Sequence, residues 1–63
     1  MKDLIIYDNG ACKIAMVFID GFVRYEVRPE NKNYGTCTVN KVYTGIDIAK
    51  RISKRERKFD KLR

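Results

Sequence analysis

The chain is predicted to adopt an α+β fold, an antiparallel β-meander of three to four strands with a single C-terminal basic amphipathic helix. Three observations predict it. Asn9-Gly10 and Asp20-Gly21 are turn pairs flanked by β-branched and aromatic residues. Pairing the chain about these two turns produces one sheet face that is apolar and free of charge. From Ile46 to Leu62 there is neither proline nor glycine, and strong helix formers dominate.

The first strand is expected near residues 2–8, the second near 11–19 and the third near 22–28. Both turns are read as two-residue type I′ connections, which need positive φ at both central positions. The turn at Asp20-Gly21 places Ile19 opposite Phe22, Phe18 opposite Val23, Met16 opposite Tyr25 and Ile14 opposite Val27. The turn at Asn9-Gly10 places Tyr7 opposite Cys12 and Ile5 opposite Ile14. One face then carries Ile5, Tyr7, Cys12, Ile14, Met16, Phe18, Val23, Tyr25 and Val27 with no charge among them.

The opposite face is charged at one end, through Lys13, Arg24, Glu26 and Arg28. It is apolar near the second turn, where Val17, Ile19 and Phe22 follow Leu4, Ile6 and Ala15. A sheet with water on one side alternates cleanly. The run from Ile14 to Ile19 does not, and reads as a strand covered on both faces. Leu4, Ile6, Val17, Ile19 and Phe22 are therefore the expected interface residues, for a second copy of the chain or for a partner protein.

Pro29 cannot donate to a ladder and is expected to end the third strand. Residues 30–35 form a polar loop, and the β-branched stretch 36–43 reads as a fourth strand. Thr44 followed by Asp47 resembles a capping box, which starts the helix at Ile46. Ile48, Ile52, Phe59 and Leu62 fall on one stripe of that helix. Residues 46–53 are expected to dock on the sheet, with 54–63 a projecting or frayed tail. Arg55 interrupts the stripe and is expected to snorkel or to mark where the helix leaves the body.

Sixty-three residues suit one small domain, 1–63, and such a chain buries only about 60% of its unfolded surface. Cys12 and Cys37 with no histidine cannot supply a four-ligand zinc site. Both cysteines are read as free, buried, small hydrophobes. Four apolar residues after Lys2-Asp3 are too few for a signal peptide, and the six from Ile14 to Ile19 are far short of the roughly 20 that span a bilayer. The expected location is the cytoplasm, with no membrane association.

Charge points to a function. Residues 49–63 hold eight basic and two acidic side chains, which account for the whole net charge of +6. A field so localised attracts a polyanion, either nucleic acid (DNA or RNA) or an acidic protein surface. Lys50, Arg51, Lys54, Arg57, Lys58 and Lys61 share an arc of about 120° and are the candidate phosphate contacts. Phe22 and Tyr34 are open to two readings, stacking on bases beside Arg24 and Arg28 or plain turn and core packing, whereas Tyr7, Tyr25 and Tyr43 are assigned to packing.

Catalysis has little to build on. Histidine is absent, and Ser53, the sole serine, sits among cations without a base. The expectation is a small, non-enzymatic nucleic-acid-binding protein with no cofactor and no metal. The alternative is a protein-interaction module, an inhibitor or adaptor, that binds through its apolar sheet face. A membrane-surface helix fits less well, because the apolar stripe is narrow, broken by Arg55 and lacks tryptophan.

Overall fold

The computed structural model describes residues 4–61, and the side chains of residues 4–56. Four strands precede one helix: β1 Leu4–Asp8, β2 Cys12–Ile19, β3 Phe22–Pro29, β4 Cys37–Val39 and α1 Val42–Lys61. The strands form a single antiparallel sheet in the order β1-β2-β3-β4. The α+β architecture is the one expected.

The β2–β3 hairpin has the expected register, from Ile19 opposite Phe22 through Ile14 opposite Val27 to Cys12 opposite Pro29. Asp20 and Gly21 both have positive φ, 52° and 81°, as a type I′ turn requires. The right-handed strand twist is thereby continued through the turn rather than broken by it.

The β1–β2 connection differs from the expected two-residue turn. Gly10 has positive φ, 88°, but Asn9 does not. Asn9 instead uses its side chain: Oδ1 accepts from the N–H groups of Ala11 at 3.1 Å and Cys12 at 2.8 Å. The loop lengthens, and Tyr7 pairs with Ile14 rather than Cys12. That shift of two residues keeps Tyr7 on the same face. A bulge between Ile5 and Tyr7 then places Ile5 opposite Ala15 and Leu4 opposite Met16. Leu4 and Ile5 are thus exchanged between faces relative to the expected pairing.

Two further expectations are corrected. The fourth strand ends at Val39, and the helix starts at Val42 rather than Ile46. Thr44 and Gly45 lie inside the first helical turns, where the Gly45 N–H bonds the Lys41 carbonyl at 3.3 Å, so no capping box forms. Packing explains the early start. A Cβ at Gly45 would lie 3.4 Å from Ile14 Cδ1, Val27 Cγ2 and Val39 Cγ2. The helix backbone meets the sheet closely at Gly45, with room for one methyl group at ordinary contact distance.

The core is small. Cys12, Ile14, Val27 and Ala49 are fully buried, with Tyr7, Tyr25, Ile46, Ile48 and Ile52 packed around them. Burying Ile14 or Val27 is worth about 1.5–3 kcal/mol each. Gly45, Ala49 and Ser53, four residues apart, are the buried centre of the helix, and Ile48 and Ile52 flank them. The sheet therefore meets a strip of small residues rather than the isoleucine stripe. Phe59 and Leu62 of that stripe lie outside the described side chains.

The helix covers only the Cys12–Ile14 half of the sheet. Its carbonyl at Ala49 accepts from Asn9 Nδ2 at 3.0 Å, and Glu56 Oε1 accepts from Asn31 Nδ2 at 2.9 Å. Both anchors sit at the end of the sheet where β2 begins. At the opposite end, Phe18 (62%) and Phe22 (61%) are exposed and Ile19 is 44% exposed. The run from Ile14 to Ile19 is thus not covered on both faces throughout, as its composition suggests. The molecule is elongated, with extents of 45 × 21 × 17 Å.

Candidate nucleic-acid interface

Residues 50–55 are brought by α1 to the β1–β2 turn, opposite in direction to the β2–β3 hairpin tip. Two side-chain hydrogen bonds hold the helix there. Asn9 ties Ala49 to the first loop, and Asn31 ties Glu56 to the loop after β3. Asn31 is itself fixed as a turn residue: Oδ1 accepts from the Asn33 N–H at 2.9 Å, and its carbonyl accepts from the Tyr34 N–H at 3.1 Å. The two loops act as brackets that set where the cationic face points.

The cations divide into two groups by what surrounds them. On the sheet they are engaged: Lys13 pairs with Glu30 at 3.2 Å, Arg28 with Glu26, and Arg24 stacks 5.2 Å from the centroid of Phe22 while donating to the Val23 carbonyl at 3.0 Å. On the helix, Arg51 pairs with Asp47 at 3.1 Å in an exposed i,i+4 bridge, which is worth little in water. Lys50, Lys54 and Arg55 are exposed, and none has an ion-pair partner among the described residues. Arg55 stands in solvent rather than along the sheet. The side chains of Arg57, Lys58 and Lys61 lie outside those described, so their expected places in the arc are not read from the structure.

Lys50 and Lys54, one turn apart, border an open cleft of about 310 Å³ lined also by Tyr7, Asn9 and Ser53. Two ammonium groups, an aromatic ring and an amide thus converge on one surface. Ammonium groups pair with phosphate oxygens as point charges. Tyr7, Asn9 and Ser53 were not legible as site residues. Tyr7 reads as core and Asn9 as turn chemistry; the packing of Tyr7 on the cluster that holds Ala49 and the Asn9–Ala49 bond across forty residues bring them beside the lysines.

The other expected contacts are dispersed. Tyr34 is half-buried in the 30–35 loop. Phe22, with Arg24 over it, belongs to the hairpin end, remote from Lys50 and Lys54. Tyr43, expected to pack, is 64% exposed, and the Lys41 ammonium lies 5.7 Å from its ring centroid. The sequence places it at the end of a strand, whereas on the helix its position faces solvent. Of the expected interface set, Val17, Ile19 and Phe22 share the outer face, Leu4 lies across the sheet on the helix side, and Ile6 sits in the bulge.

Cys12 is buried and free, as expected; Cys37 is free but exposed, because β4 is a short edge strand. Burial, the neighbouring Cys37 and Glu30 raise the Cys12 thiol above its ordinary pKa of 9.0. Among the described residues no group of three His, Cys, Asp or Glu side chains could hold a metal ion, and no helix is long and apolar enough to cross a membrane. Comparison with protein-family models, with curated proteins and with solved structures found no match to this chain.

Proposed function

We propose that the chain is a small, non-enzymatic nucleic-acid-binding protein whose cationic helix α1 contacts backbone phosphates. One contrast carries this reading. The sheet's basic side chains are engaged internally, whereas Lys50, Lys54 and Arg55 on the helix have no ion-pair partner among the described residues, and Lys50 and Lys54 border a cleft lined by Tyr7. A helix of 20 residues extends about 30 Å, enough to follow a linear polyanion over several phosphates. Contacts of that kind fix affinity and orientation without reading base sequence. The free thiols Cys12 and Cys37 suit a reducing compartment such as the cytoplasm.

The test is binding of fluorescently labelled duplex DNA, single-stranded DNA and RNA, followed by anisotropy, for the native protein and for Lys50→Gln/Lys54→Gln. Both lysines are exposed, so the fold should be kept. The reading expects a loss of affinity of similar size on unrelated sequences of one nucleic-acid type. Equal binding by the two proteins, or no binding by either, contradicts it.

A further inference from the structure

We infer that the free end of the β2–β3 hairpin docks against the same end of a second copy of this chain. The cross-strand pairs Phe18–Val23 and Ile19–Phe22 present apolar side chains on both faces of the hairpin, and all four are exposed. Val17 and Ile5 continue the patch along the outer face. Helix α1 cannot cover it, because its anchors at Asn9 and Asn31 lie at the other end of β2, about 24 Å away.

The occupant follows from area, charge and symmetry. Two phenylalanines and four aliphatic side chains at these exposures offer on the order of 500 Å² of apolar surface. These side chains lie on both faces of the hairpin, so only an end-on contact that reaches both faces, with the tip backbone and rim, approaches the roughly 800 Å² per partner of a standard interface. The two charges flanking the patch are opposite in sign, Asp20 at the tip and Arg24 above the Phe22 ring. The patch carries no net charge to repel its copy, and about a two-fold axis any contact of Asp20 with the Arg24 of the other copy is made twice. An anionic membrane or nucleic acid is a poorer occupant. Either would need cations such as Lys50 and Lys54 beside the apolar residues, and those lie at the far end of a 45 Å molecule. A core of so few buried side chains also leaves a free-standing chain with little stability to spare.

This inference does not rest on the reading of the helix, and its test contains no nucleic acid. Sedimentation equilibrium at about 0.5 M salt screens the helix charges. The native protein should have twice the chain mass of 7.4 kDa. Ile19→Lys should have the single mass, with Cys12 still protected from thiol reagents as evidence that it is folded. Phe22→Glu is the second variant, at a side chain 61% exposed, and should behave alike. A native monomer at about 100 μM overturns the inference. A native monomer that instead binds apolar vesicles overturns it too. So does a dimer that survives both substitutions, because its contact would lie elsewhere.

Discussion

Asn9 donates its side-chain amide to the carbonyl of Ala49, forty residues along the chain, at 3.0 Å, while the same side chain's Oδ1 accepts from Ala11 and Cys12. One residue thus shapes the first turn and seats the helix on it. Asn9→Ala should lower unfolding free energy by about 2–3 kcal/mol, since it removes several partly buried hydrogen bonds at once. Asn9→Asp keeps the acceptor and loses the donor, and should cost about 1 kcal/mol. Urea unfolding with an unchanged m-value is the measurement. An Asn9→Ala protein as stable as the native one would show that the bond does not hold the helix.

Gly45 offers a second check on how the helix is seated. An added Cβ meets three methyl groups at 3.4 Å, the near edge of ordinary contact. Glycine in a helix interior costs about 1 kcal/mol relative to alanine. Gly45→Ala should therefore raise stability by about 0.5–1 kcal/mol, while Gly45→Leu should lower it by about 1–3 kcal/mol through overpacking. Thermal unfolding of the two variants reads the difference. A loss from Gly45→Ala as large as that from Gly45→Leu would mean that the sheet and helix tolerate no added atom there.

Much of this architecture is legible in the sequence where a single local rule decides. Asp20-Gly21 sets the β2–β3 register because both residues take positive φ, and the pairs from Ile19 to Ile14 follow from it. Asn9-Gly10 looks alike but behaves differently. Its asparagine side chain supplies bonds that a tight turn would take from the backbone, and the register moves by two. The bulge beside Ile6 leaves no mark in composition. Thr44 and Asp47 imitate a helix start because capping chemistry is local, whereas the role of Gly45 depends on Ile14, Val27 and Val39 from three different strands. The cationic helix is legible from charge alone, but the cleft beside Lys50 and Lys54 is not, since Tyr7 and Asn9 come from the far end of the chain.

The cysteines should react at very different rates. Cys37 is exposed and should label at once in the folded protein, and Cys12 only on unfolding. The raised Cys12 pKa also fixes a pH dependence. Well below pH 9.0 the thiol is neutral in both folded and unfolded chains, and stability is unaffected. As pH rises above that value the unfolded chain ionises first, so stability declines until the folded thiol also loses its proton. Cys12→Ala should flatten this alkaline decline while lowering stability at neutral pH through the cavity it leaves. The same decline in native and variant proteins would assign it to another group.

The central claim is that the helix binds through phosphate contacts, and its most direct measurement is the salt dependence of affinity for duplex DNA. With four to five contacts per chain, log K against log salt should have a slope of roughly −4. Replacing Lys54, Arg57 and Lys58 with glutamine should reduce the magnitude of that slope by about three contacts' worth and weaken all sequences alike. A native slope near zero, or a triple variant that binds as tightly and with the same slope as the native protein, would contradict the account and leave the basic helix a solvated face.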